Sequence, residues 1–222
     1  QPRERVLFDG RPALVATTFG PNGSGKSTCF SMLTGVEVPR SVIRPTTFQS
    51  LAVMPESMVP NAGPLFPNFR TEELLDGDLE RLKCKAPSDP ALLYVNGMGG
   101  GRNSQTSLIL ADVPDFTTVE KDNWTKAERL LARAEMVLFL VYPESYNDNR
   151  VIELLLRCCR SKVKLVYIHN KCGDGSRKPA ELAEELWNHL VTKTVEQDSR
   201  FAEKREDGRT LAEFLKWGYS LR

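Results

Sequence analysis

Gly20-Pro21-Asn22-Gly23-Ser24-Gly25-Lys26-Ser27-Thr28 reads G-x-x-x-x-G-K-S-T, the phosphate-binding loop pattern. The apolar run 13–19 ahead of it reads as a strand, and residues 28–34 behind it as a helix. That strand–loop–helix setting is what the motif needs in order to work. Gly20, Gly23 and Gly25 let the backbone curl, so that the N–H groups of Asn22 to Thr28 would converge on a polyphosphate. Lys26 would neutralise the β- and γ-phosphates, and the Ser27 hydroxyl would hold Mg²⁺. The same residues in an ordinary Gly/Ser-rich surface turn would bind nothing.

The 222-residue chain has room for one large core, and we expect a single domain across it. Residues 1–12 would be a lead-in, 55–106 an irregular connection and 194–222 a helical tail. The 41% apolar and 27% charged content is that of a soluble globular domain, and the net charge of +1 creates no global pull toward nucleic acid or membrane. No apolar run is long enough to span a bilayer, and no leader-like segment opens the chain. Gln1 in place of Met suggests a piece of a longer protein. The five cysteines (Cys29, Cys84, Cys158, Cys159 and Cys172) are odd in number and contain no C-x-x-C pair. That argues against a disulfide framework or a zinc site, and for free thiols in a reducing cytosol.

Downstream, residues 48–54 alternate like a strand, and Glu72 to Lys83 has a short helical pattern with Thr71 as its cap. Ala91 to Val95 reads as a strand, and Asn96 to Gln105, with four glycines, as a loop. Thr106 to Ala111 is a buried-strand run ending at Asp112, a carboxylate placed to support Mg²⁺. Residues 120–135, 151–159 and 179–193 read as helices, the last opening on Pro179. Met136 to Tyr142 is a continuous apolar run of strand length, typical of a central parallel strand, and Lys162 to Ile168 reads as another buried strand. The fold expected is a three-layer α/β P-loop domain, with a mostly parallel central sheet and helices on both faces.

The order of P-loop, threonine segment (Arg44-Pro45-Thr46-Thr47), strand-end aspartate (Asp112 to Phe116) and Asn170-Lys171-Cys172-Gly173-Asp174 resembles translation-factor-like GTPases. It is most similar to the Era-like and bacterial dynamin-like group, over about residues 13–175. The resemblance implies GTP/GDP and Mg²⁺ as ligands. Ser27 and Thr47 (or Thr46) would hold the metal, with Asp112 behind them. Lys26, Thr47 and Asp112 would serve hydrolysis. Asn170 would brace the loop, Lys171 would stack on the base, and Asp174 would pair with guanine. It further implies a switch in which residues 36–47 and 113–119 are released when the γ-phosphate is lost. A nucleotide-dependent homodimer would suit the incomplete catalytic set. Relatives act on RNA, ribosomes or membranes, so the cytoplasmic location expected here includes the membrane periphery.

Three departures stand out. One extra residue separates Lys171 from Asp174. Asp115 stands where many GTPases have a glycine, and no glutamine follows to orient water. Gly23 stands where potassium-using Era-like proteins have an asparagine, and Asn22 lies one position earlier. Either Gly173 lets the loop bulge so that Asp174 reaches the base, or guanine specificity is weakened. Two other readings stay open. An ABC-type ATPase shares the G-P-N-G-S-G-K-S-T loop, but lacks the glutamate after Asp112 and the L-S-G-G-Q signature. A nucleotide-holding scaffold would need no turnover. A kinase lacks any Arg-rich lid to speak for it.

Overall fold

The computed structural model describes residues 7–8, 11–38, 49–83, 91–98, 107–113, 121–145, 149–160 and 163–171. It also describes positions 181, 184–185, 188–189, 192–193 and 195–196. A short hairpin of β1 (Leu7–Phe8) and β2 (Arg11–Pro12) precedes the main sheet. Seven strands then build that sheet: β3 (Leu14–Phe19), β4 (Ser50–Pro55), β5 (Arg70–Glu73), β6 (Leu92–Met98), β7 (Leu108–Asp112), β8 (Met136–Val141) and β9 (Lys164–His169). Their order is β5-β6-β4-β7-β3-β8-β9. Every pairing is parallel except β4 with β7, so two parallel blocks meet at one antiparallel seam.

Alternation along the strands separates two apolar layers. Val15, Phe19, Ile109, Val137 and Phe139 face one side. There they bury α2 (Ala62–Leu65), α3 (Lys121–Arg133) and α4 (Asn149–Arg160) through Leu65, Leu130, Val151 and Leu155. Ala16, Leu51, Val53 and Leu110 face the other side, where they meet Phe30 of α1 (Lys26–Thr34) and Leu82. Helices therefore cover both faces, and the expected three-layer α/β architecture is the one found. Arg157 of α4 ties the two long helices together. Its guanidinium lies 4.5 Å from the centre of the Trp124 ring of α3, and it pairs with Glu128 and Glu153.

The connection 55–106 is less irregular than its prolines suggest. The helix expected over Glu72 to Lys83 is instead the strand β5 followed by a 3₁₀ segment, Asp76–Lys83. Thr71 therefore lies inside a strand, opposite Leu93, and caps nothing. Among the described residues β5 has one neighbour, β6, so its polar Arg-Thr-Glu-Glu face stays wet and never shows an apolar alternation. Asn96 to Met98, expected in a loop, completes β6. Asn96 is buried and donates from Nδ2 to the Leu74 carbonyl at 2.7 Å, which is how a polar residue comes to sit inside the strand. The four residues of β5 and the seven of β6 thus widen the sheet beyond the P-loop half.

The positions described between 181 and 196 are helical, in keeping with the expected helix, and Val195 packs on the α3/α4 layer. Pro179, the 99–101 glycines and the tail from 197 onward lie outside the described residues.

Candidate functional site

The loop 20–25 leaves the carboxyl end of β3 and enters α1 at its N-terminus, the position where backbone N–H groups and the helix dipole attract anions. Two glycines are fixed there by sterics. Gly20 has φ +150°, and a Cβ on it would strike the Leu140 carbonyl. Gly25 has φ +94°, and its Cβ would strike Nδ2 of Asn170. Pro21 O accepts from the Ser24 N–H at 3.2 Å and from Lys26 Nζ at 3.0 Å, so the lysine folds back over the loop it would serve. Lys26 is only 5% exposed. Ser24 is fully buried, and its hydroxyl has no hydrogen-bond partner among the described residues.

Beside the loop stands Asp112, the last residue of β7 and 1% exposed. Its Oδ2 lies 3.4 Å from Ser27 Oγ, and its Oδ1 accepts from Thr18 Oγ1 at 2.6 Å. A hydroxyl and a carboxylate side by side at a phosphate loop fit Mg²⁺, which typically takes one or two protein oxygens and completes its shell with phosphates and water. The negative charge is felt locally: the Cys29 thiol pKa is pushed above 9.0, first by burial and then by Asp112.

On the other flank, β9 ends at His169 and Asn170 follows. The Asn170 N–H donates to Val141 O at 2.8 Å, and its Nδ2 donates to Ser24 O at 3.0 Å. The Asn170 Oδ1 accepts from the Lys171 N–H at 2.9 Å. Lys171 takes φ +59°, and its Nζ sits 5.3 Å from the centre of the Tyr142 ring. The Tyr142 hydroxyl in turn donates to Asn22 O at 3.3 Å. A chain of contacts therefore runs from the loop through Tyr142 to Lys171. Burial lowers the His169 pKa below 6.5, so the ring beside Asn170 is neutral at pH 7.

The structure thus brings together Gly20, Asn22, Gly23, Ser24, Gly25, Lys26, Ser27, Thr28, Asp112, Asn170 and Lys171 at one end of the sheet. Thr46, Thr47, Asp115 and Asp174 lie outside the described residues. Three contributors escaped the sequence reading: Thr18, Tyr142 and the pair Lys126–Gln49. Lys126 of α3 is fully buried and donates to Gln49 Oε1 at 2.9 Å, immediately ahead of β4. Thr18 carried a signal, since Thr17-Thr18 is an unusual polar pair inside a central strand. Tyr142 and Lys126 carried none, because their partners are distant in sequence.

No family model and no curated protein sequence matches the chain. Two solved structures from work on an oligomerised bacterial dynamin pair, a mechanism for long-range sensing and tethering of membranes, are similar in fold. Their TM-scores are 0.56 and 0.53, at 11% and 12% identity. In both, 91% of this chain is covered, against 38% and 37% of theirs, so this chain spans under two-fifths of their length. Era from Aquifex aeolicus bound to GDP and AlF4⁻ stands at TM-score 0.49 and 16% identity, over 95% of this chain and 59% of that one. The expected resemblance to the bacterial dynamin-like group holds at the level of the fold.

Proposed function

We propose that this chain is a guanine-nucleotide-binding domain that hydrolyses GTP slowly with Mg²⁺ and reports the state of its nucleotide by a conformational switch. The observation that carries the reading is the Asn170–Ser24 bond, which locks a base-side asparagine to the phosphate loop. A P-loop alone is neutral between ATP and GTP. An Asn-Lys pair fixed to the loop's own backbone is the arrangement that the GTPase resemblance requires.

In this reading Lys26 and the loop N–H groups neutralise the phosphates, acting by electrostatic positioning rather than covalent chemistry. Ser27 and Asp112 hold the metal side, with Thr47 entering from the segment before β4. Mg²⁺, held by Ser27 and Asp112, would supply neutralisation of phosphate charge. Asn170 keeps the loop and the base side in register, Lys171 covers the base, and Asp174 pairs with it. Asp115 in place of glycine and the missing glutamine leave the attacking water poorly oriented, which favours slow turnover unless a second copy or a partner contributes. Lys126 and Gln49 join the two elements that follow the proposed switch segments 36–47 and 113–119, giving those segments a shared anchor.

The dynamin-pair structures concern oligomers that tether membranes, and a homodimer at a membrane surface is the matching proposal for this chain. Among the described residues no helix is long and apolar enough to cross a membrane. Asp115 and the missing glutamine also favour a second reading, a domain that holds nucleotide without turnover. Phosphate release from GTP under single-turnover conditions, with Lys26→Ala as control, tests the enzyme reading. Release above the control supports it, and a rate equal to the control leaves only the holding function.

A further inference from the structure

We propose that Thr18 is a positioning residue for the metal side of the site, setting the carboxylate of Asp112 so that one chosen oxygen faces Ser27. The inference rests on the Mg²⁺–nucleotide reading above and names a residue that neither the motif nor the resemblance contains.

Thr18 and Asp112 are register partners on the parallel strands β3 and β7, so their side chains leave the sheet on the same face, toward α1. Thr18 is fully buried, and Asp112 is 1% exposed. The Thr18 hydroxyl donates to Asp112 Oδ1 at 2.6 Å, short as charge-assisted O–H···O⁻ bonds are. The other oxygen, Oδ2, is the one near Ser27 Oγ. The neighbouring Thr17 behaves differently. It points to the opposite face, and its hydroxyl donates to a backbone carbonyl, Ala111 O, at 3.0 Å.

The chemistry explains why a hydroxyl is needed. The terminal torsion of an aspartate is broad and nearly two-fold, so packing alone sets the carboxylate plane weakly. A buried carboxylate also needs donors, since an unsatisfied charged oxygen is expensive. One short bond to Oδ1 answers both needs: it satisfies that oxygen and fixes the plane, which directs Oδ2 toward Ser27. Valine at position 18 would suit a central parallel strand equally well and would supply the same shape without the donor.

The test uses the full chain as wild type, Thr18→Val and Thr18→Ser, with folding checked by circular dichroism. Fluorescent-GDP affinity is measured in EDTA and across a Mg²⁺ titration. In wild type, Mg²⁺ tightens binding. In Thr18→Val the ratio of affinities with and without Mg²⁺ should fall about ten-fold, the loss expected for one hydrogen bond to a charged acceptor. Thr18→Ser should restore the ratio. A purely structural Thr18 would lower both affinities together and leave the ratio unchanged, and that result overturns the proposal. If Thr18→Val does not fold, Thr18→Ala takes its place: a lowered ratio supports the hydroxyl's role, and an unchanged ratio refutes it. A wild type that binds no nucleotide, or ignores Mg²⁺, removes the functional reading and the proposal together. A Mg²⁺ response kept intact in Thr18→Val removes the role of Thr18 alone.

Discussion

Asn170 and Ser24 stand 146 positions apart in the chain, yet Nδ2 of one donates to the backbone oxygen of the other at 3.0 Å. The bond crosses from the end of β9 to the loop after β3, over the intervening end of β8. It ties the loop after β3 to the end of β9. Asn170→Ala should therefore weaken GDP and GTP binding alike, by roughly ten-fold for the loss of one partly buried bond and the loop order it maintains. Titration of both nucleotides into the variant checks this. A loss confined to one nucleotide would contradict it.

Gly25 answers to the same contact. Alanine there would meet Asn170 Nδ2 and would hold a left-handed backbone that costs an L-residue about 1–2 kcal/mol before any clash. Gly25→Ala should lower both melting temperature and nucleotide affinity. Gly23 has φ +74°, but a Cβ on it would meet nothing within 4 Å, so Gly23→Ala should cost backbone strain with less loss of affinity. Thermal melts of the two variants, side by side with binding isotherms, separate the effects.

Tyr142 supports Lys171 with its ring and touches Asn22 through its hydroxyl. A partly exposed cation–π contact is worth about 0.5–1 kcal/mol, which is roughly two- to five-fold in affinity. Tyr142→Ala should show a loss of that size, and Tyr142→Phe should stay near wild type. Equal losses in the two variants would assign the effect to the hydroxyl instead.

His169 offers a pH signature. Its folded pKa lies below the ordinary 6.5 because burial disfavours the imidazolium. As pH falls through 6.5, the unfolded chain takes up a proton that the folded chain resists, so unfolding free energy declines over the window just below that value. Melting temperature should fall more steeply between about pH 7 and pH 5.5 in wild type than in His169→Gln. Parallel curves would show that the ring does not contribute.

Much of this was legible in the residues. The loop 20–28 announced itself because its glycines serve backbone geometry, which is local. The continuous apolar run at 136–142 marked the interior strand β8, because burial on both faces leaves no room for polar alternation. Asp112 could be read from its place at the end of such a run. β5 could not, since a wet strand at the side of a sheet has no periodicity to show. Asn96 misled because its polarity suggested a loop, whereas its Nδ2 donates to Leu74 O inside β6. Thr18 and Tyr142 take their meaning from partners on other strands. The register that brings them together is fixed by the whole sheet rather than by any short stretch.

The central claim is guanine recognition at a P-loop braced by Asn170. The most direct measurement is displacement of fluorescent GDP from the purified chain, in Mg²⁺, by GTP and by ATP in separate titrations. Displacement by GTP with ATP at least roughly ten-fold weaker is the expected result, the discrimination that one lost charged hydrogen bond to the base implies. Equal displacement by the two nucleotides would contradict the claim and leave a P-loop that reads phosphates alone.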